Sequence, residues 1–268
     1  RARERSRERE ERPAEGSRPE CRGLLRHRWS VRCDGCVDGA PVVVAWPGEL
    51  PRVIVASHGG DVCCLAAADG AEQWRRRLPD RVEASVVACA SGCGPCAVAV
   101  VGSHDGSWTL LSVASGEVFW RHCAESSVRA PALVSRGGLL WCGSHDHHMH
   151  VLDPRSRSEV SRIRCQGSIV APACEAPDGS VVWGDLAGVL RCSAADGRVR
   201  WSRRLSAPIF AGPLAPQVPL GEAPDRGVVA AAVDGEVCAL RLADAGELWR
   251  LDTPGPVFAT VVEAALGA

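Results

Sequence analysis

The densest run of reactive side chains in this 268-residue sequence is His145-Asp146-His147-His148-Met149-His150. Imidazoles crowded in this way suit zinc or copper. His145 nevertheless stands in the same Ser-His step as His58 and His104, each at a tight polar turn. On the strand that follows, His148 and His150 share one face. No separate carboxylate or thiolate set converges on them at ligand spacing, so the sequence favours a solvated turn over a metal centre. Cys93-Gly94-Pro95-Cys96 has the spacing of a thioredoxin-type redox pair. That chemistry needs a thiolate stabilised at a helix N-terminus, whereas this motif falls between two expected strands, with Cys89 just before it, and reads as a Gly-Pro turn. Cys33 and Cys36 could join it in a four-thiolate zinc site, but the two pairs fall in different parts of the chain. The adjacent Cys63 and Cys64 invite comparison with quinoprotein dehydrogenases, some of which hold a vicinal disulfide against their quinone. Neighbours on a strand point to opposite faces, which suits ordinary packing. The calcium of such enzymes also takes Asn among its ligands, and this chain has none. No Walker loop, dinucleotide fingerprint or Gly-x-Ser-x-Gly elbow is present. The expectation is a chain with no catalytic residues, no metal and no cofactor, pyrroloquinoline quinone included.

The elements that carry these residues repeat. One marker is a small-residue turn with Gly followed by Trp: DGAEQW ends at Trp74, SGEVFW at Trp120 and DGRVRW at Trp201, and AGELWR surrounds Trp249. Trp29 leads in register, and Ser161 holds the place between Trp120 and Trp201. A second marker is an apolar run, a polar turn and an alternating run: ASHGGDVCCL, GSHDGSWTLL, GSHDHHMHVL, WGDLAGVLRC and AAVDGEVCAL. This is the pattern of a hairpin. A third, short strand follows each Trp position, as in VDGAPVVV and VRAPALV. Four strands in about 40–45 residues is the signature of a propeller blade. The fold expected is all-β: a propeller of four-stranded antiparallel blades, with five full blades plus edge strands, forming an arc of a larger seven- or eight-bladed ring. Small residues suit the crowded inner strands. Trp29, Trp74, Trp120, Trp201 and Trp249 are expected to fill the wedges between blades. Residues 213–226 are Pro-rich and predict a longer loop within the fifth blade.

Composition narrows the function classes. Thirty-one basic residues face 32 acidic ones for a net charge of −1, without the basic excess of a nucleic-acid binder. No apolar run approaches the roughly 18 residues of a membrane helix. The chain lacks Lys, Asn and Tyr together, which no folding requirement explains and which points to base-composition bias in the gene. Residues 1–20 hold seven Arg and six Glu with almost nothing apolar; such a segment is expected to be disordered, leaving 21–268 to the propeller. The missing initiator Met suggests an incomplete or processed start. Fourteen cysteines without a secretion signal predict reduced thiols and a cytoplasmic protein.

The Gly-x-x-x-Trp marker with its Gly-Ser-His-Asp turn resembles quinoprotein-type (PQQ-like) propeller repeats. The segments CVDGAPVV, DRVEASVVAC, VGSHDGS, GSHDHHMHVLD and PIFAGP are similar to the C-terminal propeller of the β-alanine-activating enzyme family, relatives of the acyl-CoA synthetases. The resemblance spans roughly residues 24–263. It implies a parent protein that activates an amino acid, β-alanine, with ATP and loads it on a phosphopantetheine carrier. No adenylating loop or carrier Ser motif is visible in this chain, so the resemblance implies a non-catalytic module binding a carrier domain, another protein partner or the product. A quinone-dependent oxidoreductase and a free-standing interaction scaffold are the alternatives. The turn residues His58, His104, His145, Asp146 and Asp234 are the candidate binding face, taken as exposed because loops carry function on such scaffolds.

Overall fold

The computed structural model describes residues 26–46, 48–89, 97–216 and 226–263. The Arg/Glu-rich 1–20 segment, the Cys93–Cys96 motif and most of the Pro-rich stretch lie outside them. The nineteen described strands form five antiparallel sheets in simple meander order. The first is β1 (Val42–Val44), β2 (Arg52–Ala56), β3 (Asp61–Ala66) and β4 (Glu72–Arg77). The second is β5 (Val87–Cys89), β6 (Val98–Gly102), β7 (Ser107–Ser112) and β8 (Val118–Cys123). The third is β9 (Leu133–Val134), β10 (Leu140–Gly143), β11 (His148–Asp153) and β12 (Ser158–Arg164). The fourth is β13 (Cys174–Glu175), β14 (Val181–Gly184), β15 (Val189–Ser193) and β16 (Val199–Arg204). The fifth has three strands, β17 (Gly227–Ala231), β18 (Glu236–Arg241) and β19 (Glu247–Asp252). Its inner strand is reduced to one bridge, Leu214 to Val229. Pro213 and Pro216 flank Leu214 and have no N–H to extend the ladder. The five blades of antiparallel strands are thus present, the fifth with three strands and this single bridge among the described residues.

Alternation along each strand feeds two cores. In β6, Ala99 and Val101 pack toward the first blade with Ile54, Val62 and Cys64. Val98 and Val100 pack toward the third, with Leu140, Cys142 and Leu152. The third and fourth blades meet through Trp141, Val151 and Trp183, and the fourth and fifth through Leu190, Ala230 and Leu240. Of the strand residues that line these cores, Val42 and Val237 are half-buried, and Val44, Ile54, Leu65, Val98, Val100, Leu110, Leu140, Val151, Val182, Leu190, Val229 and Leu240 are buried.

The repeat Trp residues join successive blades. Trp74 donates its indole N–H to the Val113 carbonyl of the next blade (2.9 Å), as Trp29 does to Ala67 (3.0 Å) and Trp201 to Leu242 (2.8 Å). The Trp29 and Trp74 indoles also lie across a left-handed turn residue of the blade they bond. A Cβ built on Gly70 would stand 2.7 Å from the Trp29 ring, and one on Gly116 would stand 2.6 Å from the Trp74 ring. Gly at these positions, with φ of 75° and 71°, serves both the turn and the close approach. In the fifth blade the left-handed residue is Ala245 (φ 61°), one position before the Gly of the AGELWR marker. Among the described residues Trp249 has no such neighbour, and it is 37% exposed.

This difference predicts unequal costs for one substitution. Trp74→Ala should lower stability by about 3 kcal/mol or more, through lost packing and a vacated wedge. Trp249→Ala should cost well under half as much. Chemical denaturation of the two variants against wild type checks this.

Candidate functional site

The turns between the second and third strands of each blade share one face with the linkers between blades. Backbone hydrogen bonds fix this arrangement repeat by repeat. His104 N donates to Arg81 O (3.0 Å) and His145 N to Ser127 O (3.0 Å), each reaching the linker before its own blade. In return, Val82 N donates to Ser57 O, Val128 N to Ser103 O and Ile169 N to Ser144 O. The linker apolar residue sits on the Gly that ends the second strand: a Cβ on Gly143 would meet Ile169 Cγ2 at 2.4 Å. Every side chain on this face is thus held by a backbone tied to two blades.

The candidate turn residues divide. His58 Nε2 lies 2.8 Å from Asp38, both toward solvent. Asp234 is exposed and accepts from Glu236 N (3.3 Å). His104, by contrast, is mostly covered and lies 3.0 Å from Glu83. Glu83 also meets Arg81 (3.1 Å) and Arg129 (3.2 Å). Burial alone would raise the Glu83 carboxyl; His104, Arg129 and Arg81 outweigh it and hold the group below its ordinary range. His145 is half-buried beside this group, and its Nε2 has no hydrogen-bond partner. Burial, reinforced by Arg129 and His104, lowers its pKa. The reading of these residues as exposed is corrected most sharply at Asp146, whose side chain is 3% exposed. Asp146 accepts from His148 N (3.0 Å), Glu125 N (3.2 Å) and, at 2.9 Å, meets His150 Nε2.

Asp146 leads into a second cluster that the sequence did not bring together. His150 is fully buried, and its Nδ1 lies 2.6 Å from Glu159 Oε1 on β12. His122 on β8 approaches the same carboxylate at 3.9 Å. Trp108 stacks on His122 (ring centroids 6.0 Å) and tilts against His150 (5.0 Å). Burial lowers the His122 pKa; for Glu159, burial is outweighed by Arg162 and His150, which hold it low. His122 occupies the repeat place filled by Arg76 and Arg203, two residues after the Trp. That substitution was the available signal, and it was missed.

The cysteine sites resolve simply. Cys63 and Cys64 are both buried free thiols on opposite faces of β3, Cys64 in the core shared with the second blade. Burial pushes Cys63 up to about 12. Ten of the described cysteines are free, but Cys89 is in a disulfide, which corrects the expectation of uniformly reduced thiols. Cys33 and Cys36 are also free, and the Cys93–Cys96 motif lies outside the described residues.

Comparison with known proteins adds the family. The model described as "Beta-alanine-activating enzyme, beta-propeller" matches residues 33–265. The chain belongs to this propeller family. No curated protein matches the sequence. Many solved structures resemble the fold. Among them are the computationally designed Ika8 protein (TM-score 0.64, 16% identity, 80% of this chain and 63% of that one) and BamB from Moraxella catarrhalis (TM-score 0.53, 16% identity, 88% and 82%). A third is BBS1N in complex with ARL6DN (TM-score 0.57, 16% identity, 78% and 66%). The chain thus spans less than two thirds of the length of the designed protein. At such identities these likenesses show the propeller fold alone. Among the described residues no helix is long and apolar enough to cross a membrane.

Two stability outcomes follow for this face. Asp185 is fully buried; it accepts from Gln166 N, Gly167 N, Ala187 N and Val189 N and pairs with Arg191 at 2.6 Å. Asp185→Ala strands Arg191 and should destabilise by about 3–5 kcal/mol, read by urea denaturation. Asp61, on the same edge of the first blade, is pushed up by burial but held low by Arg77 and Arg75. Carboxylates held low in the folded state stabilise it above their unfolded pKa, about 3.9–4.3, and lose that contribution as pH falls through the folded value. The midpoint of denaturation should therefore drop as pH is lowered below about 4, and Asp61→Asn should flatten that drop.

Proposed function

We propose that this chain is a binding module of a β-alanine-activating enzyme, and that its turn-and-linker face receives the carrier domain bearing the activated amino acid. The parent family resembles ATP-dependent adenylate-forming enzymes that load an amino acid on phosphopantetheine. On this reading the propeller supplies no reacting group and acts by holding the carrier in place. The observation that carries it is the cluster on Glu83. Arg81, Arg129 and His104 surround that single carboxylate, and both arginines remain more than 40% exposed. An excess of cationic donors on a rigid backbone suits the phosphodiester of a phosphopantetheine arm.

The state of the thiols also favours binding over thiol chemistry. Cys63, Cys174 and Cys238 are pushed up by burial to about 12, 12 and 11, which keeps them protonated at neutral pH. The proposal sets this function in the cytoplasm; the ten free cysteines support that setting, while the Cys89 disulfide opposes it.

Calorimetric titration of the full chain with the family's carrier domain, with and without its phosphopantetheine arm, tests the reading. The armed carrier should bind, and Arg129→Ala and Arg81→Ala should each weaken it at least tenfold, roughly 1.4 kcal/mol. Absence of binding, or equal affinity for the two variants and wild type, would overturn it.

A further inference from the structure

We infer that His122, His150 and Glu159 form a site for one divalent transition-metal ion, zinc or its analogues, in the interface between the second and third blades. The three ligand atoms lie within 4.8 Å of one another. They come from three strands, β8, β11 and β12, so the site exists only when the two blades are packed together. Two imidazoles and a carboxylate form a common donor set for zinc with an open fourth position.

Two features point to a cation. The first is His122 Nε2, a buried ring nitrogen with no hydrogen-bond partner that faces Glu159 at 3.9 Å. A buried imidazole nitrogen left unpaired is unfavourable, and a metal would use its lone pair. The second is the position of His150. Both its ring nitrogens face carboxylates, Nδ1 at Glu159 (2.6 Å) and Nε2 at Asp146 (2.9 Å). A cation held by Nδ1 and Glu159 would leave Nε2 to hydrogen-bond Asp146, the carboxylate–histidine–metal arrangement that orients ligating imidazoles. The buried Asp146 is already held in place by the Glu125 and His148 amides.

The distances are within reach of a bound ion. Tetrahedral ligands about 2.0–2.1 Å from zinc stand about 3.3 Å apart. The 3.9 Å pair must close and the 2.6 Å pair must open, each by about 0.7 Å or less, and the two imidazole nitrogens, within 4.8 Å of each other, must close by up to about 1.5 Å. Arg162 donates to Glu159 from Nε, to Oε1 (3.2 Å) and Oε2 (3.3 Å), and from Nη2, to Oε2 (3.1 Å), so Oε1 faces both imidazoles while also accepting from Arg162. With neutral imidazoles, Asp146, Glu159 and Arg162 sum to one negative charge, which a dication reverses. His145 and His147 lie outside the cluster, so the site is not the six-residue His-rich run itself but one end of it joined to residues from two other strands.

Cobalt(II) titration of the full chain reads the site directly. One equivalent should give visible d–d bands of a four-coordinate ion, displaced by zinc. Glu159→Gln and His122→Phe should each weaken binding at least tenfold, and His58→Ala should leave it unchanged. His122→Phe keeps a ring on Trp108 and removes the unpaired nitrogen, so its metal-free melting temperature should match or exceed wild type. A His122→Phe protein that is folded and binds cobalt as wild type does would overturn the assignment. So would a wild-type protein with no cobalt bands, which would leave His150 as a ring hydrogen-bonded between two carboxylates.

Discussion

A four-stranded sheet with apolar side chains on both faces is stable only with a neighbour on each side. Here the requirement reaches down to single residues: Val100 and Val101 are adjacent in sequence and serve different interfaces. No blade has a private core, since each of the main apolar clusters is shared between successive sheets. The linkers are part of this constraint. Leu78, Val82 and Val86 complete the first interface, while the same stretch hydrogen-bonds the turns of both blades it joins. Interface packing therefore sets where every turn on the candidate face lies.

Within that frame, chemistry collects where the repeat departs from its own pattern. The left-handed turn residues are Gly60, Gly106, Gly188 and Gly235 in four blades, but His147 in the third. At the next turn, the third blade uses Arg157 (φ 55°) where its neighbours use Gly70, Gly116 and Gly197. Arg157 places its guanidinium 4.5 Å from the Phe119 ring instead of leaving room for an indole. Ser161 then stands at the Trp position. The third blade has lost three standard interface devices, and it is where Asp146, His150 and Glu159 gather against His122. Polar groups replace part of the shape matching that Gly and Trp supply elsewhere.

The blades were legible in the sequence because the markers are local and the strand period is two. The Trp spacing and the hairpin pattern both needed only a dozen residues at a time. The reduction of the fifth blade's inner strand to one bridge among the described residues was not, since it depends on which N–H groups two prolines remove from a ladder. The buried Trp108, Trp141 and Trp183 were also missed: they hold no repeated Trp position, and their burial follows from facing blades. The same limit applied to the site. His148 and His150 were placed on one face correctly, but Glu159 and His122 reach them across a hairpin and a blade boundary. Exposure was misjudged at Asp146 because a hairpin-turn residue is normally solvated, and only the fold brings the Glu125 amide over it.

Repeats relax such constraints unevenly. A blade whose Gly and Trp positions are intact can change few of them without a clash, as the 2.6 Å and 2.7 Å approaches at Gly116 and Gly70 show. Once Trp gives way to Ser161 and Gly to Arg157, the interface must be held by other means, and charged or hydrogen-bonded side chains can enter it. Burial then changes their chemistry: desolvation lowers the His122 and His145 pKa values, while paired charges keep Asp146 and Glu159 ionised beside them. Imidazoles and anionic carboxylates brought together in a sheltered interface are what a scaffold needs before it can acquire a ligand. The most irregular blade is for that physical reason the place where this propeller departs from a purely structural repeat.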